Sequence, residues 1–184
     1  MLDTLEAIRT RRSIRRFKPE TVSNDSIEKI LEAGRLAPSG SNLQPWRFVV
    51  VKSQRVLDMI RKVSPGYLGS PPLAVVIFSD RVTSYAKGGR LGRDYLTVAD
   101  CSMAAQNMLL AAHALGLGAC AVKGFSAAAV REILEVPEGI EPELILMIGY
   151  PDETPPVPPK HPIDKIAFLD KYGKAWSRSQ GEKA

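Results

Sequence analysis

The stretch RRSIRRF, residues 11–17, sets Arg11, Arg12, Arg15 and Arg16 around Ser13 and Ile14. A fork of guanidinium donors beside a hydroxyl suits an anion with several oxygens, such as a phosphate. A basic run also serves as a solvated face or a nucleic-acid contact, and the residue types leave these readings open. If the helix expected from residue 3 continues through this stretch, Arg11 and Arg15 lie one turn apart on one face, and Arg12 and Arg16 on another. Lys18-Pro19 marks its end.

A second cluster is PSGSNLQPW, residues 38–46. Ser39, Ser41, Asn42 and Gln44 crowd donors and acceptors into a loop ahead of an apolar run. Asn and Gln amides offer the paired donor and acceptor that match the edge of a heterocyclic base, and Trp46 could wall a flat ligand. The same residues also build ordinary turns. Two such loops in one short chain point toward a phosphorylated aromatic cofactor.

The remaining reactive side chains suggest little chemistry of their own. Cys101 and Cys120 are too few for a zinc site. They read as buried thiols of a reducing cytoplasm, with a single disulfide as the other reading. His113 falls inside a long apolar helix and reads as packing, and His161 as exposed. Tyr67, Tyr85 and Tyr95 sit in or near a middle segment where a substrate could be met, with no role assigned. There is no G-x-G-x-x-G, no P-loop and no Ser-His-Asp or Cys-His constellation.

These residues need a scaffold, and the chain can build one. Its 184 residues are 45% hydrophobic and 24% charged, a globular composition. The net charge of +5 favours anionic partners without singling out nucleic acid. The first helix is expected over residues 3–11, with Leu2, Leu5 and Ile8 on one face. Ser23 can cap a second that carries Ile27, Ile30, Leu31 and Gly34. WRFVVV is a buried strand, Ser53 can cap a helix with Val56, Leu57 and Ile60, and PPLAVVIFS is a second strand. Residues 94–115 form the longest and central helix, closed by Gly116. ACAVK, a helix from Ser126 to Leu134, and ELILMIG follow.

After Tyr150, PDETPPVPPKHP holds six prolines in twelve residues and must run extended; the final GEKA is expected to be disordered. Alternating strands and helices imply an α/β or α+β sheet covered by helices. The N-terminus lacks the apolar run of a signal peptide. The longest apolar stretch is broken by Gln106, Asn107 and His113, as in a buried helix and not a membrane span.

RRSIRRF, then APSGSNLQPWRF, then QNMLLAAHALGLGACAVKGF and LILMIGYP, in that order, resemble the nitroreductase family of FMN-dependent oxidoreductases. The likeness runs from residue 4 to about 168. It implies one FMN-binding domain over residues 1–184: an α+β sandwich with a central mixed β-sheet flanked by helices and an extended tail over 151–184. It also implies an intertwined homodimer with FMN at the subunit interface, and NAD(P)H as electron donor. Carried over by position, Arg11, Arg12, Ser13 and Arg15 match the motif that holds the phosphate and the pyrimidine side of the flavin. Pro38, Ser39, Gly40, Ser41, Asn42 and Gln44 match the loop that the partner lays against the ring. Lys123 and Gly124 fall where backbone N–H groups approach flavin N5. Lys160 stands near the family's tail arginine, with its charge but without the bidentate fork. Arg15 near N1 and O2 would stabilise the charge that develops on reduction.

The implied activity is ping-pong transfer of hydride from NAD(P)H through flavin N5 to a small acceptor such as a nitroaromatic or quinone, with no catalytic side chain, no metal and no membrane. A non-catalytic flavin-binding or redox-sensing dimer is the alternative. A nucleic-acid-binding domain is disfavoured, because the arginines are not interleaved with exposed aromatics.

Overall fold

Two apolar strands with helices on either side organise the chain, in a computed structural model that describes residues 2–176. Four strands, β1 (Trp46–Val51), β2 (Leu73–Asp80), β3 (Gly118–Val122) and β4 (Ile140–Gly149), form one sheet in the order β1-β2-β4-β3. Every pairing between them is antiparallel. The mixed character expected of the sheet narrows to a single parallel bridge, Ser13 to Ala119.

The helices are α1 (Thr4–Thr10), α2 (Asn24–Arg35), α3 (Gln54–Lys62), α4 (Arg81–Leu91), α5 (Thr97–Ala114) and α6 (Ala127–Ile133). Side chains alternate across a strand, and β2, buried along its whole length, feeds two cores. Leu73, Val75 and Ile77 join Leu144, Leu146 and Ile148 of β4 under α2 and α5, against Ile30, Ala104 and Met108. Ala74, Val76 and Phe78 join Ile145 and Met147 under α3 and α6, against Leu57, Ile60 and Val130. The result is three layers, helix on sheet on helix.

Local signals set the helix ends. Ser23 Oγ accepts Ser26 N at 3.2 Å, and Ser126 Oγ accepts Ala129 N at 3.4 Å. Ser53 occupies an N-cap position but its side chain makes no cap bond. Gly116, at φ 78°, follows α5 and donates to His113 O at 3.0 Å. Gly34 lets α2 approach α5: a Cβ there would come within 2.8 Å of Met108 Sδ.

The sequence expectations for residues 11–16 and for Trp46 are revised. α1 ends at Thr10, with Arg11 at φ −56° and ψ 135°, so residues 11–16 continue as extended chain. Strand-like pairing with β3, through Ile14 N donating to Ala119 O at 3.1 Å, overrides the helix propensity of arginine. The apolar face of α1 stays open in the single chain, with Leu2, Leu5 and Ile8 at 42%, 78% and 53% exposure. Trp46 is buried in the α2/α5 core and does not face the 38–44 loop as a wall. The middle segment forms α4 and then a π-helical turn over Gly92–Leu96 leading into α5. GEKA lies outside the described residues. Among the described residues, no helix is long and apolar enough to cross a membrane.

Candidate functional site

Arg11, Arg12, Ser13 and Arg15 all face one cleft, while Ile14 turns inward against β3. Ile14 is buried, and a Cβ on Gly118 would come within 2.8 Å of it. This apolar anchor seats the arginine segment on the edge of β3.

The chain beyond β4 borders the segment on its other side. Lys18 N donates to Tyr150 O at 2.9 Å and Asp152 N to Arg16 O at 3.0 Å, with a bridge between Phe17 and Pro151. The proline-rich run then closes over a cleft of about 590 Å³. Its lining includes Arg11, Arg12, Ser13, Arg15 and Lys160, which come from chain regions almost 150 residues apart, and the tail between Pro155 and Pro158. Arg9 also lines it and is paired with Glu6 at 2.6 Å. Among the described residues, no acidic residue is in the lining. Among the described residues, Arg11, Arg12, Arg15 and Lys160 form no salt bridge; the Arg12 guanidinium donates to the carbonyls of Arg9 and Arg11 at 2.9 and 2.8 Å. Cations around a concave surface focus a positive potential into it, so the cleft is a candidate site for an anion.

A more apolar recess of about 340 Å³ adjoins it and shares Arg11, Arg12 and Pro155. His113 lines the recess, with Nε2 2.8 Å from Thr10 Oγ1. That hydroxyl gives its hydrogen to Glu6 O at 2.7 Å, which assigns the donor role to Nε2–H. Burial, and after it the charges of Arg11 and Arg12, lower the His113 pKa below its ordinary value.

Lys123 and Gly124 follow the far end of β3 and are both exposed. Lys123 Nζ donates to Glu143 O at 3.1 Å, which turns the side chain over β4. Gly124 O accepts Gly66 N at 3.0 Å. Gly69, at φ 95°, packs so closely on the Arg15 carbonyl that a Cβ would overlap it. Residues 66–69 thus connect Gly124 with Arg15.

The 38–44 loop is elsewhere. Gly40 N donates to Asp100 Oδ1 at 3.2 Å, and a Cβ on Gly40 would press on Leu96. Pro38, Ser41, Asn42 and Gln44 are exposed and Ser39 half-buried. Ser41, Asn42 and Gln44 adopt φ values of 50°, 54° and 49°, a left-handed geometry that costs energy in residues other than glycine. Gln44 Nε2 donating to Asn42 Oδ1 at 2.9 Å, and Gln44 N to Ser39 Oγ at 3.1 Å, hold it. Asp100 Oδ2 is buried with no partner among the described residues, and burial pushes its carboxyl pKa up. Asp100 and His113 are thirteen residues apart on α5, roughly 20 Å at 1.5 Å per residue. The loop and the cleft therefore stand toward opposite ends of α5.

Both cysteines are buried and free, and burial pushes the Cys101 thiol up to about 12. His161 is exposed, Tyr67 buried, and Tyr85 and Tyr95 exposed. Sequence reasoning missed Glu153, whose carboxylate accepts the backbone N–H groups of Arg15 and Arg16 at 2.6 and 3.1 Å.

The family model described as the nitroreductase family matches residues 8–72 and 65–150. A Methanothermobacter thermautotrophicus protein, provisionally named NADH dehydrogenase/NAD(P)H nitroreductase, is 36% identical over 177 residues, covering 93% of this chain and 88% of its own. A solved structure from Parabacteroides distasonis with the same provisional name matches with a TM-score of 0.82 and 29% identity, over 94% of this chain and 100% of that one. The NADPH:FMN oxidoreductase from Vibrio harveyi, solved in complex with NAD+, matches with a TM-score of 0.84 and 28% identity, over 93% of this chain and 78% of that one.

Proposed function

This chain belongs to the nitroreductase family, and on that premise we propose that it is a homodimeric, NAD(P)H-dependent FMN oxidoreductase that reduces a small acceptor. One observation carries the reading: Arg11, Arg12, Ser13, Arg15 and Lys160 line a single cleft that, among the described residues, has no acidic residue in its lining. The donor set fits a phosphorylated flavin, since guanidinium forks and a hydroxyl satisfy phosphate oxygens together. Arg11, Arg12, Ser13 and Lys160 would hold the phosphate, and Arg15 the pyrimidine side of the ring. Lys123 and Gly124 would present backbone at the reactive edge.

FMN, when bound, would supply two-electron chemistry between NAD(P)H and an acceptor such as a nitroaromatic or quinone, in ping-pong order. The protein's own part is position and electrostatics. Fixed cations preorganised where negative charge develops need no reorganisation at the moment of reaction. No side-chain acid or base is needed in this scheme.

The dimer reading rests on what one chain lacks. Pro38, Ser39, Gly40, Ser41, Asn42 and Gln44 are absent from the lining of the cleft, so we assign them to the cofactor of a second copy. The open apolar face of α1, and the tail's exposed Val157, Ile163, Ile166 and Tyr172, supply surface for that copy. Two free buried thiols suit a reducing cytoplasm.

The test is direct. Purified protein should carry a yellow cofactor identified as FMN, bleach with NAD(P)H under anaerobic conditions, and recover its colour when a quinone or nitroaromatic is added. Bleaching without turnover would instead favour a redox-sensing dimer, and protein that neither holds nor takes up FMN would refute the reading.

A further inference from the structure

Glu153 places a carboxylate against the arginine segment, where among the described residues it forms an ion pair with Arg16 and none with the Arg15 side chain. Its Oε1 accepts two successive backbone N–H groups, from Arg15 at 2.6 Å and Arg16 at 3.1 Å. Its Oε2 lies 3.4 Å from Arg16 Nε, and the side chain is 19% exposed. Two successive amides thus converge on one carboxylate oxygen. The carboxylate fixes the backbone on which Arg15 is carried.

The same residue begins the run to Lys160. Pro155, Pro156, Pro158 and Pro159 lie between them, and proline-rich chain is extended and stiff, at about 3.1 Å per residue. Fixing one end of such a rod sets where the other end arrives. Lys160 reaches the cleft that Arg11 and Arg15 line.

We propose that Glu153 is a positioning residue, a latch that orders the Arg15 backbone and, through the proline run, delivers Lys160 to the anion cleft. The identity of the anion rests on the FMN reading; the latch itself does not. Glu153 touches no reacting atom in this account, and its effect on the cofactor passes through Arg15 and Lys160.

The experiment uses full-length apoprotein and FMN-loaded protein of the parent, E153Q, E153A, K160A and the E153A/K160A double variant. In the apoprotein, amide hydrogen exchange at Arg15 and Arg16 should be at least about tenfold faster in E153A and intermediate in E153Q, which keeps one neutral acceptor. With FMN, K160A should weaken binding about tenfold in the parent background and less than about threefold in the E153A background, because an undelivered lysine has little left to lose. Should E153A fail to fold, exchange and the K160A comparison in E153Q carry the test, with smaller changes of the same sign. Unchanged exchange at Arg15 and Arg16, or an equal K160A effect in both backgrounds, overturns the latch. Fast exchange in E153A from a parent that binds no FMN would leave the latch standing and remove the FMN reading.

Discussion

Ile14 sits on Gly118, so close that a Cβ added to the glycine would fall 2.8 Å from Ile14 Cβ, Cγ1 and Cγ2. This contact seats the arginine segment on β3, and the segment has no helical bonds of its own to keep it in place. Ile14→Ala should destabilise the fold by about 2–4 kcal/mol through lost burial and the cavity left behind. Gly118→Ala should cost a comparable amount through overpacking. Urea unfolding monitored by circular dichroism checks both, and a loss below about 0.5 kcal/mol in each, the range of ordinary surface changes, would mean that the segment is held by something else.

Asp100 anchors the 38–44 loop near one end of α5 while His113 lines the recess beside the arginine cleft near the other. If a site takes its cleft from one chain and its loop from another, defects can complement. Arg11→Gln with Arg15→Gln in one chain, and Asn42→Ala with Gln44→Ala in the other, should each abolish tight FMN binding. Random remixing of the two makes about half the dimers mixed, each with one intact site and one doubly broken, so about a quarter of the parental capacity should return. No recovery after unfolding and co-refolding would place both halves of the site in one chain.

Arg11 and Arg15 should differ in how they affect redox behaviour. A residue facing the phosphate meets the same charge in oxidised and reduced cofactor, so Arg11→Gln should weaken both forms equally and leave the potential near its parental value. Arg15→Gln should cost the reduced form more, by about 1.5–3 kcal/mol for a charged hydrogen bond. For a two-electron couple this lowers the potential by about 30–65 mV. Dye-coupled titration at saturating FMN measures it, and a larger negative shift in Arg11→Gln would reverse the assignment.

His113 should make the apoprotein acid-sensitive. Its folded-state pKa lies below the ordinary 6.5, so on acidification the unfolded chain takes up the proton first. The stabilisation is complete above about 6.5 and is lost as pH falls through the lower folded value. Urea midpoints of the parent should therefore fall from pH 7 to pH 5, and His113→Gln should flatten that slope. A proton-NMR titration giving His113 a value above 6.5 would contradict this.

Much of the scaffold was legible because its signals are local. LAVVIFS and ELILMIG are short apolar runs of strand length, and both become central strands with two covered faces. Ser23, Ser126 and Gly116 announce helix ends through bonds spanning a few residues. The course of residues 11–16 was not legible, because arginine tolerates a helix and the pairing of Ile14 with Ala119 is long-range. α4 was hidden by Gly88 and Gly89, the latter at φ 59°, although Asp80 capping Thr83 N at 2.9 Å was an available sign. The face formed by Leu2, Leu5 and Ile8 could be read as apolar, but periodicity does not say what covers it. Glu153 carried no sequence signal, since the groups its carboxylate meets are backbone amides nearly 140 residues away.

On the proposed function, the cleft between the arginine segment and the tail holds the cofactor's phosphate. Comparing FMN with riboflavin, which has the same ring and no phosphate, tests this by fluorescence quenching of the apoprotein. Charge-assisted contacts of about 1.5–3 kcal/mol each, at 1.4 kcal/mol per tenfold, predict that FMN binds at least about 100-fold more tightly. That preference should fall by about tenfold or more in Arg11→Gln and in Lys160→Ala. Equal affinity for the two flavins, or an FMN preference that survives both substitutions unchanged, would place the phosphate outside this cleft.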